Sequence, residues 1–527
     1  MNIQKATLKD GRKIEYVIVD DPPSGAMKKT YFSPDKSYVV QFFHDINDSN
    51  DPQRIARLEA ILGKYNPTIC EDDGGARGVT TTSADYFKKF FCWPNGIVTN
   101  PQIGIVAPAY PGNYFFIKGL FKGKEKQGKW FSSLNVRKHL PSEEKGSWIN
   151  YFQICIYIAR AVRRLHQAGL AHSDLSCKNI LVDPTIGTAT VIDIDSLVVP
   201  QLFPPEVMGT PGYIAPEVLA TQHLSLNDPK RHLPCSFTDQ HALAVLIYEF
   251  LLFRHPLSGP KVNSSSSAEE DELLSMGEKA LFVEHPTDRS NLPNDLKIPY
   301  TILGKYLSDL FEKAFVTGLH SPNDRPSAMD WERELVKTMD ILLPCNGAKC
   351  THKWFILTPN TIKCPFCDSP YQYDSIPILK LRTERRPGQW MNDRQLNIYH
   401  NLSIFKWHVF DNIFPGAEAD RNPQAYCIFH EGKWLLVNQN LSSLTYPDGN
   451  IILPNNTVEL IDGARIRLSQ EPHGRIADVQ IFKLPYVKRI ILNNSEQTKS
   501  SQVSHVGITA GQKSTQKKSR RKNKKNI

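Results

Sequence analysis

The run His172-Ser173-Asp174-Leu175-Ser176-Cys177-Lys178-Asn179, with Asp193-Ile194-Asp195 close behind it, constrains this chain more than any other feature. An aspartate and an asparagine at this spacing are common turn residues, but the flanks ask for more than a turn. Upstream, Trp148 to Gly169 carries Ile154, Ile158, Val162 and Leu165 at helical spacing, and Gly169 suits a helix stop. Downstream, Ile180-Leu181-Val182 and Thr190-Val191-Ile192 are short apolar runs bounded by turn residues, the pattern of paired strands. The expected order is helix, polar loop, strand, turn, strand, acid.

That order and those residues resemble the catalytic loop of a protein kinase, H-x-D-L-x-x-x-N, followed by a D-F-G-like metal ligand. Phosphoryl transfer needs a carboxylate beside the attacking hydroxyl and oxygens that hold magnesium against the phosphates. The resemblance gives Asp174 the first part and Asn179 and Asp193 the second. Gly209-Thr210-Pro211-Gly212-Tyr213-Ile214-Ala215-Pro216-Glu217 resembles the end of a Ser/Thr kinase activation segment. Asp239 opens an almost wholly apolar helix from Ala242 to Phe253, similar to the central helix of the kinase large lobe. Arg325 resembles the late arginine that pairs with the A-P-E glutamate, here Glu217. The resemblance covers residues 10–340 and implies a two-lobed α+β fold, ATP and Mg2+ as cofactors, and a protein substrate with serine or threonine acceptors.

The small lobe departs from the family pattern. The third strand is expected at Ser37 to Phe43, where Gln41 stands in place of the V-A-I-K lysine. Glutamine donates hydrogen bonds but brings no charge to the phosphates. Aligning Pro23 to Tyr31 on G-x-G-x-x-G-x-V-Y puts Gly25 on the second glycine and Lys28 on the third. This is similar to the with-no-lysine kinases, whose phosphate-binding lysine comes from the glycine-rich strand. The competing assignment leaves Lys28 and Lys29 as exposed strand residues. Glu59, in an amphipathic helical run from Arg54 to Leu62, is the candidate to orient that lysine. Gly104 to Tyr110 resembles the hinge on which adenine stacks. Ser173 replaces the arginine of H-R-D, so activity is expected not to need a phosphorylated activation segment. The absent strand lysine also opens a second function, a pseudokinase scaffold that acts through protein interactions.

Four of the ten cysteines fall in Cys345-Asn346-Gly347-Ala348-Lys349-Cys350 and Cys364-Pro365-Phe366-Cys367. Two close pairs on turns, joined by a short apolar segment, let four thiolates converge on Zn2+, as in a zinc ribbon spanning 341–375. His352 is a bystander in this reading. After a link at Ile376 to Arg386, a β-sandwich interaction module is expected at 395–490. There Gly432 to Asn438 and Val458 to Leu468 alternate like strands. The second run is similar to the D-G-D-x-I ending of forkhead-associated domains, although the S-T-N-G run is missing.

Net charge is +9, but eight cations between Lys513 and Lys525 leave +1 for the rest. A nearly neutral body argues against a nucleic-acid-binding enzyme, and a disordered basic tail is expected at 494–527. No signal peptide and no apolar span of about 20 residues is visible, so a cytoplasmic location without membrane attachment is expected. Kinase domain, ribbon and sandwich in this order resemble the kinase member of bacterial tellurite-resistance-associated systems. That resemblance implies a von Willebrand A-type protein and a PP2C-type phosphatase as partners.

Overall fold

Alternating apolar residues in the first hundred positions build a six-stranded antiparallel sheet. Its strands are β1 (Asn2–Leu8), β2 (Lys13–Ile18), β3 (Lys28–Phe32), β4 (Tyr38–Phe43), β5 (Gly96–Asn100) and β6 (Gly104–Pro108), in the order β2-β1-β5-β6-β4-β3. The computed structural model of the chain describes residues 2–25, 27–44, 52–199, 202, 203, 205, 207–358, 362–416, 419–446 and 448–484. The expected basic tail lies outside them. Ala6, Leu8, Tyr16, Val40, Phe42, Val98 and Val106 form the core of one sheet face. The sheet starts at Asn2, so the sequence-based start at residue 10 omits β1. The β1–β2 hairpin sits at the edge away from β3, which is itself the other edge strand. The strand expected third is therefore β4. Gly104 is required where β6 passes it, because a Cβ there would lie 2.4 Å from the Gln41 carbonyl oxygen.

Helix α1 (Pro52–Leu62) follows β4 and buries Leu58 and Ile61. The second layer is helical. Helix α2 (Trp148–Gln167) buries Ile154, Ile158, Val162 and Leu165, the four residues that gave its period. The Asn150 side chain accepts the Ser147 N–H at its start. Gly169 follows its end with φ +77°, a conformation that costs glycine little. Helix α3 (Ser236–Leu252) is buried nearly all round, as a central helix must be. Together with α4 (Ala328–Met339) these form one large apolar core.

The ribbon adds a short antiparallel pair, β9 (Leu342–Pro344) and β10 (Trp354–Ile356), numbered after the hairpin strands β7 (Ile180–Asp183) and β8 (Thr188–Val191) described with the site below. It packs on the base of α2. The Trp148 N–H donates to the His352 carbonyl at 2.8 Å, and Phe366 meets the Trp148 indole edge-on at 4.9 Å.

Beyond it, two four-stranded antiparallel sheets share one core. One contains β11 (Ser375–Arg386), β12 (Gln389–Asn397), β17 (Arg465–Arg467) and β18 (Ile476–Lys483). The other contains β13 (Leu402–Ile404), β14 (Ala425–His430), β15 (Lys433–Asn438) and β16 (Thr457–Glu459). Two expectations are corrected here. Residues Ile376 to Arg386 are not a link, because they form most of β11, which pairs with both β12 and β18. The run Val458 to Leu468 is two strands in different sheets, divided by a turn at Asp462-Gly463, where Gly463 has φ +78°. Among the described residues no helix is long and apolar enough to cross a membrane.

Candidate active site

The loop after α2 is held from below by one buried carboxylate. Asp239 near the start of α3 accepts the N–H of His172 at 2.7 Å and of Ser173 at 3.2 Å. Its Oδ2 also lies 3.1 Å from His166 Nε2. His172 reaches the Ile192 carbonyl from its ring, at 3.1 Å. Ser173 has φ +66°, and its hydroxyl is buried. These contacts fix the turn that presents Asp174 and Asn179.

Asn179 donates to Asp174 Oδ2 at 2.9 Å and to its backbone carbonyl at 2.8 Å. Thr210, from the activation segment, donates its hydroxyl to Asp174 Oδ1 at 2.7 Å. The structure thus brings the loop carboxylate and the segment threonine together. With its amide nitrogen spent on Asp174, Asn179 keeps Oδ1 as its acceptor. The pair β7 and β8 carries the loop onward to Asp193.

Asp193 is left-handed (φ +62°), a region aspartate tolerates better than most residues. That bend turns the chain into a short 3-10 turn at Ile194–Ser196. Ile194 is buried in the main core and anchors it. Lys28 of β3 reaches across the cleft. Its Nζ donates to Asp193 Oδ1 at 2.9 Å and to Asp195 Oδ1 at 2.5 Å. Burial opposes the charge on Lys28, but Asp195 and Asp193 outweigh it and push its pKa above the ordinary lysine value. Burial likewise raises Asp193, and Lys28 more than offsets this, leaving its carboxyl below the ordinary aspartate value.

Lys28 is buried and Lys29 is exposed, as alternation along β3 dictates. Gln41 faces the same side as Lys28 but spends its amide on the Thr30 hydroxyl at 3.1 Å. Gly25 sits in a tight bend before β3, where its N–H donates to the Lys28 carbonyl. A Cβ at Gly25 would meet only that oxygen, at 3.9 Å, so the bend itself does not demand glycine. Glu59 is on the exposed face of α1 and is ion-paired with Lys9, not with Lys28. Asp195 is the cleft residue that sequence reasoning passed over, although it stands two positions from Asp193 in the same quoted motif.

Below the cleft, Arg325 makes a bidentate pair with Glu217, at 2.8 and 2.7 Å. In the ribbon, the four cysteine sulfurs lie within 4.8 Å of one another. Cys345 to Cys367 is 3.5 Å and Cys350 to Cys364 is 3.8 Å. Four sulfurs bound at about 2.3 Å to one tetrahedral zinc would sit about 3.8 Å apart, so the donor set fits that ion. His352 is turned away, with its ring stacked on Phe366 at 3.7 Å. Burial drives its pKa down to about 3.

Residues 125–334 match the protein kinase domain family, and that part of the chain is a protein kinase domain. The match begins after the sheet that carries Gly25 and Lys28. The chain is 29% identical over 161 residues to serine/threonine-protein kinase 17A of Oryctolagus cuniculus, covering 27% of this chain and 38% of the relative. It is 32% identical over 82 residues to a dual serine/threonine and tyrosine protein kinase of Apis mellifera, covering 16% and 8%. The chain thus spans less than half the length of these curated relatives. A solved kinase domain of a Toxoplasma gondii rhoptry antigen aligns with TM-score 0.38 and 14% identity, over 64% of this chain and 86% of that one.

Proposed function

We propose that the protein is an ATP-dependent Ser/Thr protein kinase whose phosphate lysine is Lys28. The observation that carries this reading is the buried Lys28 ammonium held by Asp193 and Asp195, with Asn179, which donates to Asp174, tied through its backbone carbonyl to the N–H of Ile192 next to Asp193. Asp174 orients the acceptor hydroxyl and receives its proton. Asn179 and Asp193 offer the oxygens for magnesium, which when bound neutralises charge on the phosphates. Lys28 supplies a point charge to the same phosphates from a different strand than usual. Thr210 beside Asp174 supports an aliphatic hydroxyl acceptor. The segment's end, moored through Glu217 and Arg325, supports a protein substrate.

Incubation with magnesium-ATP and phosphosite mapping tests this. Lys28→Met should remove most transfer, on the order of a hundredfold for a lost charge-assisted contact, while Lys29→Met should cost little. Gln41→Lys should be neutral or harmful, because two cations would crowd one phosphate. Parental activity in Lys28→Met would refute the lysine assignment. A parent that transfers no phosphate leaves the scaffold reading, which the missing strand lysine favours.

The same proposal gives the ribbon and the two-sheet module partner-binding roles. Their order supports testing a von Willebrand A-type protein and a PP2C-type phosphatase by co-purification. Absence of both from the purified complex would count against that membership.

A further inference from the structure

A phosphate lysine must be held toward its ligand by a carboxylate that the ligand does not displace. The sequence offers Glu59 for this, and the structure turns it to solvent, where it pairs with Lys9. Glu59 is the only acid in α1, and the buried polar residues of that helix are Arg54 and Arg57. Arg54 lies over the Phe43 ring and Arg57 near Phe203. Two guanidinium groups cannot hold an ammonium group, so the helix has no counter-charge to give Lys28.

The counter-charge comes from the other wall of the cleft. Asp193 and Asp195 both contact Lys28, but they differ in setting. The Asp193 side chain is 44% exposed, and the Asp195 side chain only 6%. Asp193 is therefore open to a ligand, and Asp195 is sealed behind the lysine. Asp193 is also the carboxylate assigned to magnesium, so a lysine held by Asp193 alone would compete for the same oxygens. Asp195 has no such second task. The left-handed Asp193 and the buried Ile194 fix the turn that carries it. Two of the three ammonium N–H groups are taken by carboxylates, which leaves one for a phosphate oxygen.

We propose that Asp195 is the positioning residue for the phosphate lysine, standing where the D-F-G motif has glycine and doing from the metal-binding segment what a helix glutamate was expected to do. The proposal rests on the reading of Lys28 given above. Asp195 touches neither phosphate nor metal and acts only through Lys28. Its effect should therefore vanish when Lys28 is gone, and should not depend on magnesium.

Titration of the full chain with fluorescent mant-ATP, in EDTA and in magnesium, tests both statements. Lys28→Met and Asp195→Asn should each weaken binding about tenfold in EDTA, and the double variant should be no weaker than Lys28→Met alone. Three results would overturn the role of Asp195 while sparing Lys28. They are parental affinity in Asp195→Asn, a loss that appears only with magnesium, and a double variant in which the two losses add. Unchanged affinity in Lys28→Met would overturn the lysine reading and this proposal together. Should Asp195→Asn fail to fold, the double variant removes both charges of the pair and is compared directly with Lys28→Met. Equal affinity supports the proposal, and a further loss refutes it.

Discussion

Replacing Arg325 by methionine should destabilise the large lobe by about 4 kcal/mol. The guanidinium has five N–H donors, and all five are used. Two go to Glu217, and one each to the carbonyls of Gly318, Leu319 and Phe237, at 2.7 to 3.0 Å. The Arg325 side chain is 1% exposed and that of Glu217 16%, so water cannot replace the lost partners. Breaking a buried pair from one side costs about 3–5 kcal/mol, mostly from the charge left behind. Arg325→Lys keeps the charge but has three donors and no planar fork, so at least two bonds go, for about 2 kcal/mol at ~1 kcal/mol each. Urea unfolding followed by tryptophan fluorescence measures both, since Trp331 lies in the same core. Adding Glu217→Gln to Arg325→Met should then cost much less than the two separate losses summed. An unfolding midpoint unchanged by Arg325→Met, or strict additivity in that pair, would refute the argument.

Asp174→Asn should abolish phosphate transfer and leave mant-ATP affinity near the parental value. Parental autophosphorylation by the purified variant would remove Asp174 from its role. Elemental analysis of protein purified without added metal should find one zinc per chain, lost when Cys364→Ser is combined with Cys367→Ser; retention in that variant refutes the ligand set. Burial raises Glu249 to about 7, although its hydrogen bond from Tyr213 works the other way. The folded chain then holds a proton that the unfolded chain releases near the ordinary glutamate value of 4.5. The stability this contributes is complete below pH 4.5 and lost as pH rises through about 7, up to about 3 kcal/mol. Glu249→Gln should flatten the stability difference between pH 5 and pH 8, and an unchanged difference would refute the attribution.

What the sequence made legible was what local periodicity carries. Helix α2, its glycine stop and the loop after it follow from residues within thirty positions of one another. The four cysteines were legible because metal chemistry fixes their spacing. What failed depends on distant partners. Residues Ile376 to Arg386 read as a link because β11 meets β18 a hundred residues later, and no local pattern reports that pairing. Val458 to Leu468 alternates well enough to pass for one strand, and only the turn at Asp462-Gly463 divides it between sheets. The Asn2–Leu8 strand joins β2 in a local hairpin but enters the sheet only where Thr7 and Leu8 pair with Asn100 and Val98 of β5, far along the chain. Glu59 was the only acid in its helix, and α1 spends its buried face on Arg54 and Arg57 instead. Asp195 was in plain view, but a motif written with glycine at that position directs attention away from it.

The packing of the ribbon on Trp148 bears on how the kinase domain could be cut out and kept folded. Helix α2 begins at that contact and ends just before the loop that carries Asp174, so the four-cysteine turn and that carboxylate are joined by one rod. Phe366 stands between Cys364 and Cys367 in the sequence and carries the contact with Trp148. A fragment that stops at residue 340 would leave the foot of that rod bare, with an indole face and a backbone N–H returned to water. A fragment ending at 375 should melt higher than one ending at 340, and chelation should narrow the gap. If the two melt together, the ribbon is a passenger and not the plinth on which the lobe stands.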